Sequence, residues 1–422
     1  MAESDKYITR RPIKSVGNGI SIFGTVGFVS WISAGWLISK IFLSGDLFCQ
    51  SIIFIFGFVW ALLGPFSLSF FLVEAAGGAL YAGNYKLASK LASAGMQVDK
   101  SVLPLVNAVG MFDTPLAVLN LLNLANAQIM LCEFEEGKDN LESALDKSQA
   151  VLGWENQLTQ AVVGFLAGAY LYLCRFTEAE SYLRKSIALK EKLLNELEDE
   201  TEEERNSIIA SLSLDKFTMA LLMEHLQDFE NAEEYYRQAI EVILDNTEYD
   251  TEMLANHFSR LAKLLARKNR LEEAEPLVER ALEIYKKIFS DSHPIMAGVY
   301  DTLGYIAYKK GCYDEAMNWL DKAIMVRTRS DLEEHPDNAH SLAILGEIKH
   351  KQEKLEAAGD FFEKAIKIYD KRLGEKHPEL LTVLLPYKKL IEEKGDQTKE
   401  KALENRIFEL ERMYSRNLTG NN

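Results

Sequence analysis

Three histidines each precede a proline at a constant interval: His293-Pro294, His335-Pro336 and His377-Pro378, 42 residues apart. Imidazoles recurring along a chain could ligate a metal ion or relay protons. These lie a whole repeat apart, on successive turns of a repeating structure, so they do not converge on one ion. A polar residue before a helix-starting proline is instead a good cap. The cysteines offer no chemistry either. Cys49, Cys132, Cys174 and Cys312 form no CxxC and have no histidine at metal-ligand spacing. Cys132 and Cys174 are again 42 residues apart, a repeat position rather than a disulfide plan. All four are read as reduced and structural. Paired carboxylates are plentiful, but they lie on amphipathic segments and read as solvated faces. A glycine-rich phosphate cradle, HExxH and GxSxG are all missing from the sequence. It therefore predicts no catalytic residue, no cofactor and no metal, and the chain is expected not to be an enzyme.

What positions the histidines is a repeat. The phrase "GCYDEAMNWLDKAI" at 311–324 is preceded by "NRLEEAEPLVERAL" at 269–282 and followed by "EKLEAAGDFFEKAI" at 353–366. With the aromatic or leucine of this phrase as origin, the frame falls on Phe134, Phe176, Phe229, Leu271, Tyr313 and Leu355, with gaps of 42, 53, 42, 42 and 42. Nine residues before each origin stands a small residue: Ala125, Ala167, Ala220, Ala262, Gly304 and Gly346. Three after come Gly137, Ala179, Ala232, Ala274, Ala316 and Ala358; seven after come the larger Leu141, Leu183, Tyr236, Val278, Leu320 and Phe362. Apolar spacings of three and four mark helical faces. Each unit reads as a helical hairpin whose small residues let two backbones approach, with Gly or Asn making the turn in several units. One hairpin cannot bury its own faces, so neighbours must stack.

The frame fits once more around Tyr85, with Ala76, Ala88 and Gly95 at the small positions. The 53-residue gap carries "ELEDETEEE" at 196–204, which reads as a solvated helix extension or as a dock for a basic partner. At 401–417, Leu403, Ile407, Leu410 and Met413 form one stripe, as a solenoid's terminal cap requires.

The amino-terminal part has a different character. The chain of 422 residues carries a net charge of −16, yet residues 1–84 hold five basic residues against four acids. The acidic body argues against nucleic acid. Residues 20–43 contain one charge, Lys40, and residues 47–73 contain none. Each is long enough to span a bilayer. Lys6, Arg10, Arg11 and Lys14 flank the first stretch, which predicts both termini in the cytoplasm. The sequence thus predicts an integral membrane protein with the bilayer as one partner, a bacterial inner membrane being the favoured location. The expected organisation is a cytoplasmic tail (1–15), two transmembrane helices within 16–74, a solenoid of six to seven repeats (75–400) and a capping helix and tail (401–422).

The small positions are separated by twelve and then seven residues. This spacing resembles the tetratricopeptide repeat, and the 42-residue unit with its His-Pro pairs resembles the kinesin light chain variety. The resemblance covers roughly residues 75–410; no heptad segment of a kinesin light chain is present. It implies an all-α fold, here a transmembrane hairpin followed by a right-handed solenoid, with leading helices lining a concave face. The family's groove positions give, as candidate partner-binding residues, Leu122, Met130, Tyr172, Phe217, Asn256, Lys263, Arg267, Tyr305, Tyr308, Lys309 and His350. The lysine/asparagine clamp that related domains use for chaperone C-termini does not fit this sequence. The expected function is a membrane-anchored scaffold that binds a protein or peptide partner in the groove and assists assembly or recruitment of a complex, homo-oligomers being possible. The alternative is a regulatory module sensing a cytosolic peptide.

Overall fold

In the computed structural model the chain is all-α. The structure describes residue 69 and residues 71–108, 115–196, 202–247 and 250–418. Helix α1 covers residues 71–81. It is followed by α2 (Tyr85–Ala108), α3 (Pro115–Met130), α4 (Phe134–Leu152), α5 (Gln157–Tyr172), α6 (Phe176–Glu196), α7 (Glu202–His225) and α8 (Phe229–Asn246). Then come α9 (Glu252–Arg267), α10 (Leu271–Ile288), α11 (Met296–Lys309), α12 (Tyr313–Arg329), α13 (Pro336–Lys351) and α14 (Leu355–Arg372). A short 3-10 turn at Pro378–Leu380 precedes α15 (Leu381–Lys394) and α16 (Gln397–Leu418). Each sequence origin opens the trailing helix of a hairpin.

One backbone device makes every hairpin. Two residues before each origin the chain turns through the left-handed region: Gly83, Cys132, Cys174, Gln227, Asn269, Gly311 and Glu353 all have positive φ, as does Gly395 before α16. The hydrogen bonds around them repeat. At the third hairpin opening, for example, Cys174 N donates to Leu171 O and Arg175 N donates to Tyr170 O; at a later one, Glu353 N donates to His350 O and Lys354 N to Lys349 O. This pair of bonds satisfies the last carbonyls of the leading helix and stops it at a fixed residue. Four of the eight turn residues are neither Gly nor Asn, although such residues are strained there.

The histidines before proline cap the next leading helix. His293 Nδ1 accepts from Ile295 N (3.3 Å), His335 Nδ1 from Asp337 N (3.2 Å) and His377 Nδ1 from Glu379 N (3.2 Å). Burial holds His335 and His377 below the ordinary imidazole range, His377 at about 4, which keeps the rings neutral and Nδ1 free to accept.

By packing, the described residues divide into two units, one up to residue 169 and one from residue 170 onward. In the first, α1 packs on α2 and α3 through alanines: Ala76 meets Ala92 and Leu124, and Ala79 meets Ala88 and Ala127. Ser69 Oγ donates to Asp99 Oδ1 (2.5 Å), Asn120 Nδ2 donates to Asp99 Oδ2 (2.9 Å), and Asn123 Nδ2 donates to Val73 O (3.1 Å).

These contacts correct the membrane expectation. Leu72 and Val73, the last residues of the expected second span, are buried beside hydrogen-bonded polar groups of the repeat array rather than prepared for lipid. Among the described residues no helix is long and apolar enough to cross a membrane. The uncharged helices α3 and α5 have 16 residues each, about 24 Å of helix against the roughly 30 Å of a hydrocarbon core. The integral-membrane localisation and the bilayer as partner are therefore withdrawn. The remainder of the two stretches, 20–43 and 47–68, lies outside the described residues, as do residues 197–201 of the acidic run.

In the second unit the repeat frame becomes packing. Ala220, Ala262, Ala239 and Ala281 are fully buried, and so are the larger Tyr236, Phe362, Leu320 and Leu183. A Cβ placed on Gly346 would stand 2.8 Å from the Phe362 ring, and one on Gly304 would stand 2.8 Å from Leu320. The small position is thus the floor on which the residue sixteen places later rests. At the end, Leu403, Ile407 and Leu410 of α16 join Tyr387 and Ile391 in one core, while Met413 is exposed.

Buried ion pairs tie trailing helices to leading segments, Lys190 of α6 to the following helix α7, and Arg280 of α10 and Arg327 of α12 back to the leading segment of their own hairpin. Lys190 Nζ lies 2.5 Å from Asp215 Oδ2, which also accepts from Ser186 Oγ (2.5 Å). Burial lowers Lys190 and raises Asp215, each opposed by the other's charge. Arg280 pairs with Asp250, and Arg327 with Asp301.

Candidate partner groove

In the second unit the leading helices α7, α9, α11 and α13 each keep a face that the repeat packing leaves over. In α9, Leu254, Phe258, Leu261 and Leu265 are fully buried. Asn256, Arg260, Lys263 and Arg267 follow at helical spacing on another face. Arg267 bonds Glu224 Oε2 of α7 at 3.0 Å and lies over the Phe229 ring. Tyr236 OH in turn donates to Glu224 Oε1 (2.5 Å), so one carboxylate joins the three elements.

In α11, Tyr305 and Tyr308 are half-buried. Tyr308 OH donates to Glu347 Oε2 of α13 (2.7 Å), and Lys309 Nζ lies 5.8 Å from the Tyr305 ring centre. The Tyr305 ring also faces His340 of α13. His350 Nε2 meets Glu393 of α15 at 2.6 Å. Burial raises both Glu347 and Tyr308, and the hydrogen bond that the phenol donates to the carboxylate opposes the rise at Glu347.

Between α9, α11 and the start of α13 lies a small open cleft, lined by Asn256, Arg260, Lys263, Tyr285, Thr302 and Asp337 among others. Ser259 and Thr302 bond each other across its floor at 3.1 Å. Burial alone would raise Asp337, but His335, Arg327, Arg260 and Lys263 around it hold its carboxyl far below the ordinary range. Lys263 is lowered by burial and by the Arg260 charge beside it.

The structure brings Asn256, Lys263, Arg267, Tyr305, Tyr308, Lys309 and His350 onto the leading helices of one unit, along with Tyr172 at the end of α5. Phe217 is buried there, stacked on His257 (4.4 Å) and edge-on to Tyr236, so it supports the wall rather than facing a partner. Leu122 and Met130 belong to the other unit; Leu122 is buried and Met130 half-buried. The spacing-based frame missed Arg260 and Asp337, which fall between its positions. The signal for Arg260 was its place one turn from both Asn256 and Lys263; Asp337 follows the His-Pro pair and had no signal of its own.

The sequence model of the tetratricopeptide repeat matches residues 209–294 and 295–371. No curated protein matches the chain. Among solved structures, the chain is similar to the Rap conjugation gene regulator of plasmid pLS20 in complex with the Phr* peptide. The identity is 14%, over 83% of this chain and 96% of that one, with a TM-score of 0.56. A Rap protein complexed with competence and sporulation factor is 15% identical over 83% and 99% of the two chains, TM-score 0.52. The repeats of a Podosopora anserina kinesin light chain are 18% identical over 52% and 99%, with a TM-score of only 0.37. The chain thus carries tetratricopeptide repeats and has the all-α solenoid fold that such repeats build.

Proposed function

We propose that this protein is an interaction scaffold that holds an extended peptide segment of a partner protein in the groove of residues 170–422. The observation that carries the reading is the surface left by the packing. The leading helices α9 and α11 present aromatic rings and cations side by side, Tyr305, Tyr308, Lys309, Arg267 and Lys263, on helices whose other faces are buried in the core. Aromatic and arginine side chains on a rigid frame are what peptide recognition uses for anchoring. Two solenoid structures similar to this chain, with TM-scores of 0.56 and 0.52, are complexes with a peptide or factor, which supports a peptide over a folded surface as the partner.

A displayed library of random peptides tests the proposal. The wild-type chain is expected to select peptides, and a Tyr305→Ala/Tyr308→Ala variant is expected to lose them. Equal selection by both would remove the groove assignment. A regulatory role, in which the bound peptide changes the scaffold's affinity for a second protein, is the alternative use of the same groove.

A further inference from the structure

The peptide reading leaves open what chemistry the groove selects, and two side chains in it have unspent charge. Among the described residues, neither Arg260 nor Lys263 has a hydrogen bond or an ion pair, and Asn256 one turn before them has no hydrogen bond. Lys286, Lys322 and Lys364, basic residues without an ion pair elsewhere, are exposed, whereas Arg260 and Lys263 are half-buried. Arg267, Lys268, Arg270, Arg280, Lys310 and Arg327, their neighbours in sequence or space, each have a carboxylate partner. Arg260 and Lys263 instead line the cleft side by side.

The nearby acid is already engaged. Asp337 lies 3.5 Å from Arg327 and 3.6 Å from His335, and Arg327 also holds Asp301. Arg260, Lys263 and Arg327 against Asp301 and Asp337 leave the cleft with a net positive charge inside a chain of net −16. Two neighbouring cations in a recessed, poorly solvated site repel each other, and an anion between them relieves that repulsion while satisfying their donors.

We infer that the cleft seats the side-chain carboxylate of an aspartate or glutamate within the bound peptide, held by Arg260 and Lys263 with Asn256 as a further donor. This rests on the peptide reading above. A side-chain carboxylate fits better than a peptide C-terminus because the cations sit partway along the groove. Leading helix α7 continues it on one side and α11 with α13 on the other, so a chain crossing the groove passes the cations in mid-course.

The test uses the full-length chain and a displayed library of random twelve-residue peptides, followed by affinity measurement of synthetic versions with free and amidated C-termini. Wild-type selection is expected to enrich Asp or Glu at one peptide position. Replacing that acid by Asn or Gln, or making Arg260→Ala, should weaken binding about thirtyfold, the size expected for removing one partner of a desolvated charge pair. Amidation should change little. Arg260→Glu/Lys263→Glu should select Lys or Arg at the same position, a gain that an unfolded variant cannot give. Peptides without an enriched acid would overturn the carboxylate assignment and leave the peptide groove standing. A large loss on amidation would replace it with a C-terminal site. Failure of the wild type to select any peptide would overturn both.

Discussion

Helices α3 and α9 occupy the same place in the repeat frame and have opposite surfaces. Both carry leucine and then alanine ahead of the turn, Leu124-Ala125 in one and Leu261-Ala262 in the other, and both alanines are fully buried. Yet α3, "PLAVLNLLNLANAQIM", has no charged residue, whereas α9 carries Glu252, Arg260, Lys263 and Arg267. The comparison teaches that the frame fixes only the face that touches the partner helix. The remaining face is free of the fold's demands, and in the second unit it has been given cations and phenols. Stability should therefore respond to changes in the register and to the buried ties within and between repeats. Partner binding should respond to changes on the free face.

The largest expected effect falls on the ties. Asp215→Ala leaves Lys190 buried without its carboxylate and should cost about 3–5 kcal/mol, measured by denaturant unfolding. If the cost is under about 1 kcal/mol, the ties do not organise the repeats. Acid comes next. His257 is fully buried and held at about 3 by desolvation, and His377 is held at about 4. Their folded-state values lie below the unfolded value near 6.5, so the stability they protect is present above about pH 6.5 and is lost as pH falls towards 4 and 3. At about pH 5 each should destabilise the fold by roughly 2 kcal/mol, and His257→Gln should flatten that part of the pH–stability curve. An unchanged melting temperature between about pH 7 and pH 5 would contradict this.

A smaller effect tests the register directly. Gly346→Ala pushes a methyl into the Phe362 ring and should cost about 1–3 kcal/mol. Pairing it with Phe362→Leu should return part of the loss. In the opposite direction, Glu353 sits at φ 60° on the turn before α14; Glu353→Gly should stabilise the chain by about 1 kcal/mol. On the free face, Lys309→Ala should leave stability within about 0.5 kcal/mol.

Much of the packing was legible because it repeats. The alternation of small and large residues gave the hairpins, and the His-Pro pairs gave the capped helix starts. The turn position two residues before each origin was legible only where Gly83, Gly311 or Asn269 stands; Cys132, Gln227 and Glu353 adopt the same backbone without advertising it. The buried ion pairs were not legible, because their partners lie 25, 30 and 26 residues apart (Lys190 and Asp215, Asp250 and Arg280, Asp301 and Arg327) and so follow no single spacing. Arg260 escaped for a related reason: its importance comes from lacking a partner, which only three-dimensional neighbours reveal. The membrane reading extended an apolar run through residue 73, where the structure has a repeat helix already beginning. Apolar length does not distinguish a helix buried by lipid from one buried by other helices.

The most direct test of the central claim, that the free face binds while the register holds the fold, is to take melting temperature and peptide recovery from one preparation of the Tyr305→Ala/Tyr308→Ala variant. The account predicts recovery lost, with melting lowered by no more than a few degrees, since both rings are only half-buried and Tyr308 gives up one hydrogen bond to Glu347. Full recovery of the wild-type peptides by a folded variant would contradict it.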